Sequence, residues 1–223
     1  MRPTTGVRVK VCGITNRDDA RRAADLGASA VGFVFWASSP RGVSPDTARE
    51  VVEALPPGVV PVGVFVNEAR ERVEAICRLV GLGAVQLHGD ETPEAFAGLS
   101  WPIIRAVACG LHAGEASAGE WPDDVVLLVD AHDRDRRGGT GRRADWAAAA
   151  RLARLRRIFL AGGLTPQNVG DAVATVRPYG VDVSSGVESA PGVKDAAKLE
   201  AFFEAVARAA DAWPRGPIEG NQE

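Results

Sequence analysis

Three cysteines in 223 residues, at scattered positions, are too few and too irregular for a disulfide framework. They fit a reducing compartment. Nor do they have metal-ligand spacing, so no structural metal is expected. No apolar run reaches the roughly 18 residues that a spanning helix needs. The segment Met1-Arg2-Pro3-Thr4-Thr5-Gly6 has no apolar core of the kind a signal peptide carries. A cytoplasmic protein, with no membrane partner, is the expectation. A net charge of -3 gives no global reason to expect nucleic acid, although arginines cluster locally. No low-complexity linker divides the chain. One domain is expected over residues 7–212, with flexible tails at 1–6 and 213–223.

What is present is alternation. Strand-like β-branched runs recur at residues 7–12, 30–35, 61–66, 84–88, 103–107, 125–130, 157–161 and 181–184. Between them lie helical patterns at 16–26, 45–55, 68–80, 92–99, 145–155, 166–176 and 194–212, with the weakest slot at 110–120. Local signals support them: Ser44 caps before Pro45, and Gly27 and Gly81 follow helix ends. Strict alternation argues for parallel strands with crossover helices. Repeats of about 25 residues match a closed (β/α)8 TIM barrel, an α/β fold with an eight-stranded parallel sheet, better than an open sheet. The length is near the short end for that fold.

One parity of each barrel strand points inward. Lys10 and Cys12 share parity, as do Leu128 and Asp130, Gln86 and His88, and Asp182 and Ser184. Polar groups at C-terminal strand ends suit a site. Cys12 and Asp130, on strands lying roughly across the barrel, are placed to move protons at two points of one substrate. Plainer roles stay open: a buried cysteine packs as a small hydrophobe, and a strand-end aspartate caps a helix or forms a turn. Lys10 and Asp182 meet once the barrel closes, so an ion pair inside it is expected; an unpaired buried ammonium is costly. Lys10 as a catalytic amine is the rival.

Two glycine loops follow the last two strands, at Gly162-Gly163 and Ser185-Gly186. Glycines let backbone amides approach an anion, and barrels often bind phosphate with these two loops. Tight turning alone is the other reason for such glycines. A third glycine loop, Gly138-Gly139-Thr140-Gly141, lies in a charged connection at 131–143 placed to act as a lid, or simply as a solvated charge run. Ser38-Ser39-Pro40-Arg41 leaves a guanidinium near the barrel mouth, suited to a two-pronged grip on a carboxylate; a surface arginine is the alternative.

Read in order, several strings form a pattern: Lys10-Val11-Cys12-Gly13-Ile14-Thr15, Ser39-Pro40-Arg41, Gln86-Leu87-His88-Gly89-Asp90, Asp130 with Gly138-Gly139-Thr140-Gly141 and Asp145-Trp146, Ala161-Gly162-Gly163-Leu164 with Asn168, and Asp182 through Glu188 with Pro191-Gly192 and Lys194-Asp195. The chain resembles the phosphoribosylanthranilate isomerases of tryptophan biosynthesis from about Val9 to Ala209. The resemblance implies a (β/α)8 barrel and an Amadori rearrangement of N-(5-phosphoribosyl)anthranilate to 1-(2-carboxyphenylamino)-1-deoxyribulose 5-phosphate. By it, Cys12 is the general base and Asp130 the general acid. Arg41 holds the anthranilate carboxylate, and Gly162, Gly163, Ser185 and Gly186 form the phosphate site. Every step is a proton transfer, so the partner is a small phosphoribosyl molecule and neither metal nor organic cofactor is expected.

The chemistry sets demands. An unperturbed cysteine is only a few per cent thiolate at neutral pH. Making thiolate the major form needs a pKa drop of at least about 1.5 units, worth roughly 2 kcal/mol. Asp130 must conversely hold a proton, which favours a desolvated site. The pattern has departures. Residues 131–137 are unusually charged, and Ala144 precedes Asp145 where an aromatic is common in the family. Cys12 rather than an aspartate ends the first strand, which argues against the histidine-pathway isomerase. An indole-glycerol-phosphate synthase would want a catalytic lysine, and Lys10 lies a layer too deep. A non-catalytic phosphate-binding barrel would not need Cys12, Asp130 and Arg41 together. The chain is expected to be a monomer or homodimer; Cys77 and the apolar outer helices suit either a dimer contact or packing against the barrel.

Overall fold

The computed structural model describes residues 6–108, 119–130 and 146–213. Eight parallel strands close into one barrel in sequence order: β1 (Arg8–Cys12), β2 (Ala30–Val34), β3 (Val60–Phe65), β4 (Ala84–Leu87), β5 (Ile103–Ala108), β6 (Val126–Asp130), β7 (Ile158–Ala161) and β8 (Gly180–Val183). Each expected strand is present to within a residue or two. The helices among the described residues are α1 (Arg17–Asp25), α2 (Pro45–Val52), α3 (Arg70–Val80), α4 (Trp146–Leu155), α5 (Val169–Val176) and α6 (Ala196–Asp211).

Strand parity produces two cores. Outward side chains such as Val11, Val31, Phe33, Val85, Leu127, Leu160 and Val181 pack beneath the helices. Inward ones, including Ala30, Val62, Ala84, Ile104, Leu128 and Phe159, fill the barrel. Helix starts follow local chemistry. Asn16 accepts from the Asp19 amide, Ser44 from the Thr47 amide ahead of Pro45, and Asp195 from the Lys198 amide. α3 stops at Gly81, whose φ of 75° most side chains avoid. Cys77 is buried in the outer core, so its thiol serves helix packing rather than an exposed contact.

Two elements differ from expectation. Residues 92–99 form turns, with Phe96, Ala97 and Leu99 amides bonding three residues back to Pro93, Glu94 and Phe96, and Gly98 at φ 72° ending the run. Lys194 does not open the last helix. It ends a hairpin in which β9 (Glu188–Ala190) pairs with β10 (Val193–Lys194), and the helix begins after Asp195. The connection at 131–143 with its glycines, Asp145, most of the slot at 110–120 and nearly all of both tails lie outside the described residues.

β8 meets β1 with Lys10 opposite Asp182, and Lys10 Nζ donates to Asp182 Oδ1 at 2.7 Å, the pair expected inside the barrel. Lys10 is wholly buried. Replacing Lys10 alone by methionine strands a buried carboxylate and should cost about 3–5 kcal/mol in urea unfolding. The paired change Lys10→Met with Asp182→Leu removes both charges and should recover most of that loss. Equal losses in the two variants would show that the pair does not stabilise the seam as a unit.

Candidate active site

The C-terminal strand ends form the barrel mouth. Cys12 is the last residue of β1, on inward parity, and packs against Val34 and Val64. Asp130 ends β6 half-buried, in register with inward-facing Ala161. β7 and β8 separate the two strands around the barrel, so thiol and carboxyl stand at the same end of one cavity. Gln86 and His88 share the inward parity of β4, with Gln86 Nε2 and His88 Nδ1 2.9 Å apart.

Arg41 reaches this mouth from the β2–α2 loop. Its amide bonds to Ser39 Oγ at 3.2 Å, and its side chain crosses Gly13. A Cβ on Gly13 would sit 2.6 Å from Arg41 Cδ, and Gly13 has φ 74°, so both the crossing and the turn require glycine. The guanidinium does take a carboxylate in two-pronged fashion, but the carboxylate is Glu188: Nε to Oε1 is 2.9 Å and Nη2 to Oε2 is 2.6 Å. Nη1 makes no hydrogen bond among the described residues.

Glu188 is the hub that sequence reasoning missed. Lys194 Nζ donates to Glu188 Oε1 at 2.7 Å and to the Cys12 carbonyl at 2.7 Å. The Lys194 amide donates to Asp19 Oδ2, and Lys198 Nζ to the Glu188 carbonyl. One carboxylate thereby ties the end of β1, the β2–α2 loop and the β9–β10 hairpin together. The missed signal was local: Pro191-Gly192 between two short runs marks a hairpin, which places Glu188 opposite Lys194. Burial works to raise the Glu188 carboxyl, but Arg41 and Lys194 outweigh it and hold the group below its ordinary value. Burial lowers the Lys194 ammonium, with Glu188 opposing.

The two glycine loops adjoin. Gly162 and Gly163 have φ of 87° and 61°, conformations open to glycine. Asn168 fixes the first loop, accepting from the Thr165 amide at 2.8 Å and donating to the Gly163 carbonyl at 2.9 Å. A Cβ on Gly186 would overlap the Leu164 carbonyl, so the second loop, with exposed Ser185, lies directly on the first.

Cys12 is crowded by charge. A Cβ on Gly32 of β2 would lie 2.9 Å from Cys12 Sγ and 3.2 Å from Lys10 Nζ, so this glycine clears room for both. Burial pushes the Cys12 thiol up from its ordinary value, while Lys10 and Lys194 oppose that rise and Asp182 adds to it. Among the described residues, no group of three or more His, Cys, Asp or Glu gathers to hold a metal. A cavity of about 910 Å³, lined in part by Phe96, Trp101 and Trp121, opens near the starts of β5 and β6, at the opposite end of the barrel from Cys12, and shares none of these groups.

Comparison with known proteins matches residues 9–205 to the family model for N-(5'-phosphoribosyl)anthranilate (PRA) isomerase. The N-(5'-phosphoribosyl)anthranilate isomerase of Pseudomonas putida is 46% identical over 216 residues, covering 92% of this chain and all of that protein. The crystal structure of the Thermotoga maritima phosphoribosyl anthranilate isomerase superposes with TM-score 0.84 at 41% identity, over 90% of this chain and 98% of that one. A second such structure, holding reduced 1-(o-carboxyphenylamino)-1-deoxyribulose 5-phosphate, gives TM-score 0.81 at 39% identity with the same coverage.

The Glu188 hub has a pH signature. Because the folded protein holds this carboxyl below its ordinary value of 4.5, its stabilisation is complete above that pH and is lost as pH falls through the lowered folded value. Glu188→Gln should therefore be less stable than wild type at pH 7, with the difference shrinking in acid. Chemical unfolding across that range checks this; a difference constant with pH would contradict it.

Proposed function

Since the chain belongs to the N-(5'-phosphoribosyl)anthranilate isomerase family, we propose how its own residues divide the work of the family's reaction. The reaction is the Amadori rearrangement of N-(5-phosphoribosyl)anthranilate to 1-(2-carboxyphenylamino)-1-deoxyribulose 5-phosphate, a step of tryptophan biosynthesis. Asp130 protonates the ribose ring oxygen. The ring C1–O bond breaks as the anilino nitrogen supplies its electron pair, leaving a Schiff base. Cys12 removes the proton from C2, and the electrons of that bond form the enolamine. Tautomerisation to the C2 ketone completes the change. The loops at Gly162-Gly163 and Ser185-Gly186 bind the phosphate, and the free edge of Arg41 takes the anthranilate carboxylate. The substrate is soluble and phosphorylated, which suits the expected cytoplasmic location.

The observation that carries this reading is convergence at one mouth. Cys12 and Asp130 end inward strand positions, Arg41 crosses beside Cys12, and the two glycine loops adjoin on β7 and β8. Lys10, buried and paired with Asp182, is no free amine, which disfavours synthase chemistry through a lysine.

The ionic states matter. Asp130 must carry a proton when Cys12 does not. Thiolate plus carboxylic acid holds the same number of protons as thiol plus carboxylate, so the productive form arises by redistributing one proton. Anything that lowers the thiol's proton affinity enlarges that form.

With phosphoribosylanthranilate supplied and anthranilate-type fluorescence followed, Cys12→Ala and Asp130→Asn should each lose about 10²–10⁴-fold in kcat. Near-normal turnover by both would remove the residue assignment, and no turnover by the wild type would remove the activity. Arg41→Ala deletes a charge-assisted grip and should cost about 1.5–3 kcal/mol in kcat/KM, with KM carrying most of it. An unchanged KM would place the carboxylate elsewhere.

A further inference from the structure

We propose that Lys10, paired with Asp182 beneath Cys12 and sharing with its sulfur the space above Gly32, is the positioning residue that helps Cys12 reach its proton-accepting form. The inference rests on Cys12 serving as the base.

Three observations converge. First, register: Lys10 and Cys12 occupy successive inward positions of β1, so the ammonium stands one layer below the thiol. Second, the clearance at Gly32: its missing Cβ would lie 2.9 Å from Sγ and 3.2 Å from Nζ, so both atoms reach one small space that a single methyl would fill. Third, donor count. An ammonium has three N–H groups, and the one hydrogen bond Lys10 makes among the described residues is to Asp182 Oδ1 at 2.7 Å. The remaining donors have the sulfur as neighbour.

Stability alone gives little reason for this pair. A buried ion pair commonly does no better than apolar residues of similar volume, and the barrel interior around it is largely apolar. A fixed positive charge beside a thiol, in contrast, favours thiolate. Other charges facing Cys12 are few. From β8 comes Asp182, which opposes ionisation. From β10 comes Lys194, bonded to the Cys12 carbonyl at 2.7 Å. From the β2–α2 loop comes Arg41, and Glu188 lies between it and Lys194. β2 and β3 offer only Gly32, Val34 and Val64. Arg41 and Lys194 share Glu188's charge, and the Lys194 ammonium is spent on Glu188 and the Cys12 carbonyl. Lys10 alone approaches from below, where neither phosphate nor carboxylate arrives.

The test needs no substrate. Wild type and the Lys10→Met, Asp182→Leu double variant are alkylated with iodoacetamide across a pH series, and modification is quantified on the Cys12 peptide by mass spectrometry. Because Lys10 favours the thiolate more strongly than Asp182 opposes it, removing both should still raise the midpoint of the Cys12 profile, by about half a unit, a roughly threefold slower reaction at a given pH below it. The same variant should lose kcat by a similar factor with KM within about twofold, as loss of a group acting only on the base requires. Lys10→Arg should keep the midpoint near that of the wild type. An unmoved midpoint in the folded double variant overturns the proposal. Should that variant not fold, Lys10→Gln decides: it keeps a hydrogen-bond donor for Asp182 without the positive charge, and an unmoved midpoint there overturns the proposal too. Failure of the base assignment would show separately, as turnover retained by Cys12→Ala whatever the alkylation profile.

Discussion

The bond between Lys10 and Asp182 closes the barrel where its last strand meets its first. Much follows from that one pairing. Side-chain direction in a strand repeats every two residues, so a slip of one position would turn Lys10 and Cys12 out into the apolar layer beneath the helices. A buried ammonium tolerates no such slip, because its carboxylate lies across the seam and nowhere else. With Lys10 fixed inward, Cys12 must also face inward one layer nearer the mouth. The same register carries around the sheet to Asp130, beside Ala161. A contact that looks like fold chemistry therefore aims the two groups to which we assign the proton transfers.

Above that layer a second constraint gathers parts that lie far apart in the chain. Glu188 joins Arg41 to Lys194, and Lys194 in turn holds the Cys12 carbonyl. The resting site thus holds an anion already, and the two positive groups beside it, Arg41 and Lys194, are bridged rather than left facing one another. Arg41 is preset rather than free to search. Its Nε and Nη2 are held by Glu188, so a long side chain is already ordered in the resting site.

Much of this was legible in the residues. Alternating β-branched runs between amphipathic stretches dictate parallel strands with crossovers, and eight of them dictate closure. Parity alone paired Lys10 with Asp182 and set Cys12 and Asp130 inward. The illegible parts have physical causes. Residues 92–99 have a cap signal and helical composition, yet they hold too few residues before Gly98 to complete α-helical bonding. Lys194 looked like a helix start because a two-residue strand has no periodicity to detect. Arg41 was read as waiting for a ligand, since nothing local tells that residue 188 folds back against it. Gly32 carried no signal at all: its function is the room it leaves for two neighbours, which only three-dimensional packing reveals.

A crystal structure of this protein with the reduced product analogue bound tests the arrangement most directly. The phosphate should lie on the Gly163 and Ser185 loops and the carboxylate on the outer edge of Arg41. The sugar's C2 should stand within about 3.5 Å of Cys12 Sγ, the reach that proton transfer requires. A ligand seated with C2 away from the thiol, or with its carboxylate held by some other group while Arg41 stays apart, would contradict the mechanism.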